Sequence, residues 1–208
     1  MVKLTIDGIQ VEAEKGTSIL HAAESVGIEV PTLCYIKDLL PDGSCRMCMV
    51  EIESRGRTKM ETACTAQVAE GLVVTTNSEK VRNARRNILD MLLSNHKTDC
   101  FSCPSNGDCK LQELCFEYGI ERTTYSGEQT ELPIDDSNKF FTYNPNLCIL
   151  CHRCVNTCHK IVGRGAIDTM ERGFDSAIGT PFHIDWADTN CESCGNCVQA
   201  CPTGALTM

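Results

Sequence analysis

The chain has 208 residues, 42% of them hydrophobic, with 16 cysteines and a formal net charge of −9. No run of about 18 apolar residues is present, which excludes a membrane-spanning helix, and the acidic balance excludes the basic face that nucleic acid demands. The N-terminus lacks the apolar stretch of a secretory signal, so the expectation is a cytoplasmic protein whose cysteines bind metal rather than pair as disulfides.

Residues 2–14 alternate apolar and polar side chains and read as two short strands, "VKLTID" and "IQVEAE", turning at Gly8. "GTSILHAAESVG" follows as a helix, with Thr17 or Ser18 as N-cap and Gly27 closing it. A cysteine-bearing loop leads to further strands at "CMVEIE", near "KMETAC" and at "GLVVTTN". Strands wrapped around one helix over residues 1–77 predict a β-grasp domain. Residues 78–119 predict a short helical segment that opens on the clearest helix of the chain, 78–95. Val81, Ala84, Ile88, Met91 and Leu92 fall on one face of it, with Arg82, Arg85 and Arg86 mostly off that face as solvated cations. A second short helix is expected in "CKLQELCFEYGI". Residues 120–140 are polar and aperiodic and read as a linker. Residues 141–208 contain an internal repeat, in which "CILCHRCVNTCHKIVGRGAI" is echoed by "CESCGNCVQACPTGAL" with room for a short hairpin between. The fold class is α+β.

Each copy of the repeat is C-x2-C-x2-C-x3-C, the run that holds [4Fe–4S] cubanes in bacterial ferredoxins, where the fourth cysteine serves the other cluster. Cys148, Cys151 and Cys154 are therefore paired with Cys201, and Cys191, Cys194 and Cys197 with Cys158. The fourth cysteine of each run is expected to begin a helix. Pro202 follows the second run as the pattern asks. His159 stands in the proline's place after the first, a departure that touches no ligand. Zinc also uses C-x2-C pairs, but it takes four ligands and has no use for a third cysteine with a crossover fourth, twice over.

Cys34, Cys45, Cys48 and Cys64 form the N-terminal set, four thiols that suit zinc or a [2Fe–2S] cluster. The β-grasp reading and the loop "PDGSCRMC" favour [2Fe–2S], because Gly43 and Ser44 leave backbone N–H groups free to approach sulfur. In "HKTDCFSCPSNGDC" three cysteines, Cys100, Cys103 and Cys109, need a fourth partner, either His96 or Cys115. Cys115 falls on a helical stripe with Leu111, Leu114 and Tyr118, as a packed thiol does. His96 ends the helix that leads into the loop.

"DGSCRMCMVE" and "HKTDCFSCPSNGDCKLQEL" together resemble the iron–sulfur N-terminal region of the complex I large peripheral-arm subunit. With the two-cubane segment the resemblance extends to [FeFe]-hydrogenases, to the small diaphorase subunit of NAD-reducing hydrogenases, and to related subunits of formate dehydrogenases and electron-bifurcating complexes. It runs from Val2 to Leu206. It implies that His96, Cys100, Cys103 and Cys109 hold one [4Fe–4S] cluster and that Cys115 is a free thiol. The full complement is then one [2Fe–2S] and three [4Fe–4S] clusters. The resemblance also implies an NADH- and FMN-binding flavoprotein partner and a further catalytic subunit or ferredoxin. No G-x-G-x-x-G dinucleotide fingerprint and no nucleophile constellation is left over, so the chain reads as an electron-transfer subunit without catalysis of its own. A free-standing polyferredoxin and a zinc-stabilised interaction module are the competing readings.

Overall fold

The computed structural model describes residues 1–126, 129 and 131–208. They form two compact units, Met1–Leu89 and Asp90–Met208.

The first unit is a mixed five-stranded sheet. Its strands are β1 (Val2–Ile6), β2 (Ile9–Ala13), β3 (Met49–Ser54), β4 (Arg57–Thr62) and β5 (Val73–Thr75), in the order β2-β1-β5-β3-β4. β5 pairs parallel to β1 and antiparallel to β3, while β1/β2 and β3/β4 are antiparallel hairpins. Because strand side chains alternate between faces, Leu4, Ile6, Val11, Val50, Ile52 and Val74 all point to one side. There they pack on Ile19, Leu20, Ala22 and Ala23 of helix α1 (Ile19–Glu24). Ser18 is the N-cap, its Oγ accepting from the His21 N–H at 3.3 Å. Gly27, in the left-handed region at φ +76°, ends the turn after the helix. This is the expected β-grasp arrangement.

Helix α2 spans Glu79–Leu93 and its buried stripe differs from the one expected. Val81, Arg85, Leu89 and Leu93 are buried, whereas Met91 is 53% exposed. Arg85 is not a solvated cation: it lies 3% exposed and donates from Nη2 to the Met49 carbonyl at 2.8 Å. A guanidinium that satisfies a strand-end carbonyl can occupy the inward face, and the leucines four and eight residues on follow it at helical spacing. The apolar pattern alone misplaced the face by about one residue's rotation.

The second unit is built from short pieces. Helix α3 (Lys110–Glu117) buries Leu111, Leu114 and Cys115. Strands β6 (Thr142–Tyr143) and β9 (Leu206–Thr207) pair antiparallel and close the two ends of the repeat onto each other. Between them lie α4 (Arg153–Asn156), a π-helical turn over Thr157–Val162, the expected hairpin of β7 (Asp168–Met170) and β8 (Ala177–Gly179), and α5 (Asn196–Ala200). Trp186 is 3% exposed and stacks between Phe141 and Tyr143, with ring centroids 5.1 and 5.3 Å away. The core around these rings includes cysteine side chains, Cys154 and Cys197 among them.

One expectation needs correction here. The fourth cysteine of each run does not begin a helix. Cys158 lies inside the π-helical turn, and Cys201 is the residue that ends α5. The helices α4 and α5 instead start one residue before the third cysteine, so Cys154 and Cys197 sit in their first turns. The described residues of 120–140, read from sequence as a linker, make several polar contacts. Asp90 accepts from Thr123 Oγ1, Thr124 N–H and Thr124 Oγ1 at 2.8, 2.8 and 2.5 Å. Leu132 N–H donates to Asn146 Oδ1 at 2.9 Å, and Asp135 pairs with Tyr143 through both backbone bonds. A segment without periodicity is held here by single polar contacts, which hydrophobic pattern does not register. Residues 127, 128 and 130 lie outside the described residues.

Candidate metal centres

All sixteen cysteines are free thiols. In the first unit Cys34, Cys45, Cys48 and Cys64 are all buried and fall into two pairs. Cys48 Sγ lies 3.3 Å from Cys64 Sγ, and Cys34 is hydrogen-bonded to Cys45. The Cys45 thiol and the N–H groups of Cys45 and Ser44 hold Cys34 down to about 5, while the same pairing pushes Cys45 up. Cys48 is brought to about 7, chiefly by the Cys64 thiol, and Cys64 is raised in turn. Each pair therefore holds one readily formed thiolate. Gly43 makes the loop possible: its φ is +65°, and a Cβ there would stand 3.2 Å from Thr65 Cγ2. Arg46, between the two loop cysteines, is also left-handed, at φ +61°.

In the second unit α2 runs out at Leu93, and the His96 N–H donates back to the Leu93 carbonyl at 3.2 Å. His96 is 6% exposed and its Nδ1 is buried without a hydrogen-bond partner among the described residues. Burial lowers its pKa to about 4, so the ring is neutral at pH 7, the form in which imidazole binds metals. Cys100, Cys103 and Cys109 follow on a loop of tight turns, with Cys103 N–H on the Cys100 carbonyl at 3.3 Å and Asn106 N–H on that of Cys103 at 3.0 Å. Cys109 immediately precedes α3, and burial raises it, with the charges of Cys103 and Cys100 adding. Cys115 belongs to the α3 stripe rather than to the loop. Burial raises it to about 11, and Cys109 and Cys100 are near enough to add.

The two repeat copies fold alike. In each, the N–H two residues after the first cysteine donates to its sulfur: Leu150 to Cys148 and Ser193 to Cys191, both at 3.4 Å. Leu150 and Ser193 are left-handed, at φ +52° and +55°, as are His152 and Gly195 two residues further on. A leucine in that region is strained and persists only where its surroundings fix it; here the turn aims N–H groups at sulfur. Ala166 N–H donates to Cys158 Sγ at 3.4 Å. These donors carried no sequence signal beyond their constant offset from the first cysteine. Burial first, with the charge of Cys201 adding, pushes Cys148 up to about 11 and Cys151 up to about 12. Cys154 is raised well above the usual thiol range by burial, then by Cys148, Cys151 and Cys201. Cys197 reaches about 12 by burial, with Cys191, Cys194 and Cys158 adding. The charge of Cys201 is thus felt at Cys148, Cys151 and Cys154, and that of Cys158 at Cys197. Cys158, Cys191, Cys194 and Cys197 line one cavity together with Phe141, Ile167 and Trp186. His159, in the proline's place, turns Nε2 to the Ile167 carbonyl at 2.8 Å.

Among the described residues no three His, Cys, Asp or Glu side chains converge as the ligands of one metal ion would. Iron–sulfur clusters are held differently, each iron taking its own ligand or ligand pair around an inorganic core.

Comparison with known proteins gives three matches along the chain. Residues 1–79 match a 2Fe-2S iron-sulfur cluster binding domain. Residues 85–124 match the NADH-ubiquinone oxidoreductase-G iron-sulfur binding region, and residues 139–207 the ferredoxin-like domain of NADH-quinone oxidoreductase subunit 3. Among solved structures, an NAD+-reducing [NiFe]-hydrogenase in the H2-reduced state superposes with a TM-score of 0.90 at 30% identity, over 99% of this chain and 86% of that one. The chain belongs to the family of iron–sulfur subunits of NADH- and NADPH-linked oxidoreductases. It is 44% identical over 206 residues to NADPH-Fe(3+) oxidoreductase subunit alpha of Geobacter sulfurreducens. It is 37% identical over 208 residues to the mitochondrial NADH-ubiquinone oxidoreductase 78 kDa subunit of Candida albicans. Each of these two matches takes in 99% of this chain, but only 24% and 28% of the relative's length. No described helix is long and apolar enough to cross a membrane.

Proposed function

We propose that this chain is an electron-relay subunit of a multi-subunit NAD(P)H-linked oxidoreductase, with no catalytic site of its own. Cys34, Cys45, Cys48 and Cys64 would hold a [2Fe–2S] cluster. His96, Cys100, Cys103 and Cys109 would hold a [4Fe–4S] cluster. Cys148, Cys151, Cys154 and Cys201 would hold a second cubane, and Cys158, Cys191, Cys194 and Cys197 a third. The donor chemistry fits. Two thiol pairs suit the two irons of a rhombus, and a neutral, buried imidazole with an unpartnered nitrogen suits a ligand in search of a metal. Amide donors aimed at cysteine sulfur suit bound thiolate. The observation that carries the reading is the cavity that Cys158 lines together with Cys191, Cys194 and Cys197, a cysteine of the first run beside three of the second.

Such clusters carry electrons one at a time. NADH delivers a hydride, two electrons together, so a flavin-bearing partner must divide them before they enter this chain. A catalytic subunit or ferredoxin takes them up, and the compartment is the cytoplasm. The family membership and the likeness to an NAD+-reducing hydrogenase support this arrangement over a free-standing carrier. Reduction followed by visible bleaching tests it. Dithionite bleaches the iron-loaded chain, NADH alone leaves it coloured, and NADH with catalytic amounts of the flavoprotein partner bleaches it. Direct bleaching by NADH, or none with the flavoprotein present, overturns the relay reading.

A further inference from the structure

Glycine 204 stands where its backbone does not require glycine: it is absent from the left-handed residues that include twelve other glycines. What excludes a side chain is a neighbour. A Cβ on Gly204 would lie 2.7 Å from Cys103 Sγ and 3.3 Å from Ser105 Oγ. The strap that carries Gly204 begins at Cys201, a proposed ligand of the second cubane, while Cys103 is a proposed ligand of the first. The same strap makes a second contact with the same loop. The Lys110 N–H, next to ligand Cys109, donates to the Pro202 carbonyl at 3.0 Å. Thr203 fixes the strap from behind: 4% exposed, it donates from Oγ1 to the Leu147 carbonyl at 2.9 Å and lies 3.6 Å from Cys201 Sγ.

Resting on the ligand assignment above, we infer that the strap 201–204 is the electronic junction between the His96/Cys100/Cys103/Cys109 site and the Cys148/Cys151/Cys154/Cys201 site, with Gly204 as the positioning residue that sets their approach. Two routes cross it. One is direct contact of Cys103 sulfur with the Gly204 backbone. The other runs from Cys109 through one hydrogen bond into Pro202 and Cys201. Tunnelling falls steeply with through-space distance and less steeply through bonds, so a missing methyl and one amide bond are the features that matter. One electron, supplied by the flavin partner, leaves the site that is oxidised and enters the site that is reduced. No bond forms or breaks and no proton moves.

The test uses the full iron-loaded chain, reduced anaerobically. It measures iron content and the magnetic interaction between the two cubanes, read as splitting and relaxation enhancement in their electron paramagnetic resonance. Gly204→Ala forces Cys103 and the strap apart and is expected to lose the splitting. Lys110→Pro removes the N–H donor together with the Lys110 Nζ–Glu113 Oε1 pair at 2.7 Å. Lys110→Ala removes that pair alone and is expected to leave the interaction unchanged. Proline is tolerated as the first residue of α3, and Cys109 at φ −134°, ψ 115° already has the extended backbone that precedes proline. Lys110→Pro is expected to weaken the interaction at full iron content. Gly179→Ala, whose Cβ would meet only Met170 Cγ at 3.2 Å in the hairpin, is the control and leaves both readings unchanged. An unaltered interaction in Lys110→Pro overturns the junction, even if Gly204→Ala sheds a cubane's iron through a packing clash. So does a splitting that survives Gly204→Ala. Wild-type protein without three cubanes would instead overturn the ligand assignment itself.

Discussion

The two units of this chain are stabilised by different means. Met1–Leu89 has a sheet, a helix and a continuous apolar core of Leu4, Ile6, Ile19, Leu20, Val50, Ile52 and Val74. Cys48 and Cys64 belong to that core, whose other buried members are aliphatic. In Asp90–Met208 the longest element wholly within the unit is eight residues, and the core around Trp186 is partly made of Cys154 and Cys197 themselves. The first unit can bury enough apolar surface to fold around its own side chains. Under the proposed cluster assignment, the second would substitute metal–ligand bonds for the apolar surface it lacks, as small metal domains do.

The largest effect that would break this comparison is iron removal. Anaerobic chelation is expected to abolish amide protection through 141–208 while β1, β3 and β5 keep theirs, measured by hydrogen exchange. The single tryptophan reports the same event, because Trp186 is buried in the second unit and its emission should shift to the red. Equal loss of protection in both units would mean that the first also depends on its cluster. The converse perturbation is Ile52→Ala, at a site 2% exposed, which should destabilise the first unit by about 2–5 kcal/mol. Thermal unfolding followed by hydrogen exchange should place the whole loss in 1–89, with the iron of the second unit retained. The smallest effect concerns α1. Ser18→Ala removes the acceptor for the His21 N–H and should lower the first unit's stability by about 1 kcal/mol, seen in its denaturant midpoint.

The contrast also explains what could be read from the chain. Period-2 alternation announced β1 and β2, and the Ser18 cap announced α1, because local rules govern a unit with an ordinary core. Cysteine spacing is the basis on which thiols are grouped in the second unit, because a cluster demands ligands at fixed offsets. What spacing could not show was conformation. Nothing in "CILC" says that Leu150 turns left-handed to aim its N–H at Cys148, or that Cys201 ends a helix rather than beginning one. Arg85 was misread for a related reason: its inward place depends on one distant carbonyl, at Met49, and not on its neighbours in sequence. Nothing in "CPTGAL" shows that Cys103 lies close against its glycine.

Counting iron and acid-labile sulfide in anaerobically purified protein tests the central claim most directly, with wild type compared to His96→Ala and Cys115→Ala. One [2Fe–2S] and three [4Fe–4S] clusters predict about 14 irons per chain with matching sulfide. His96→Ala should lose or alter one cubane, while Cys115→Ala keeps the full count. Zinc in place of iron and sulfide, or loss of the cubane in Cys115→Ala with His96→Ala intact, would contradict the account.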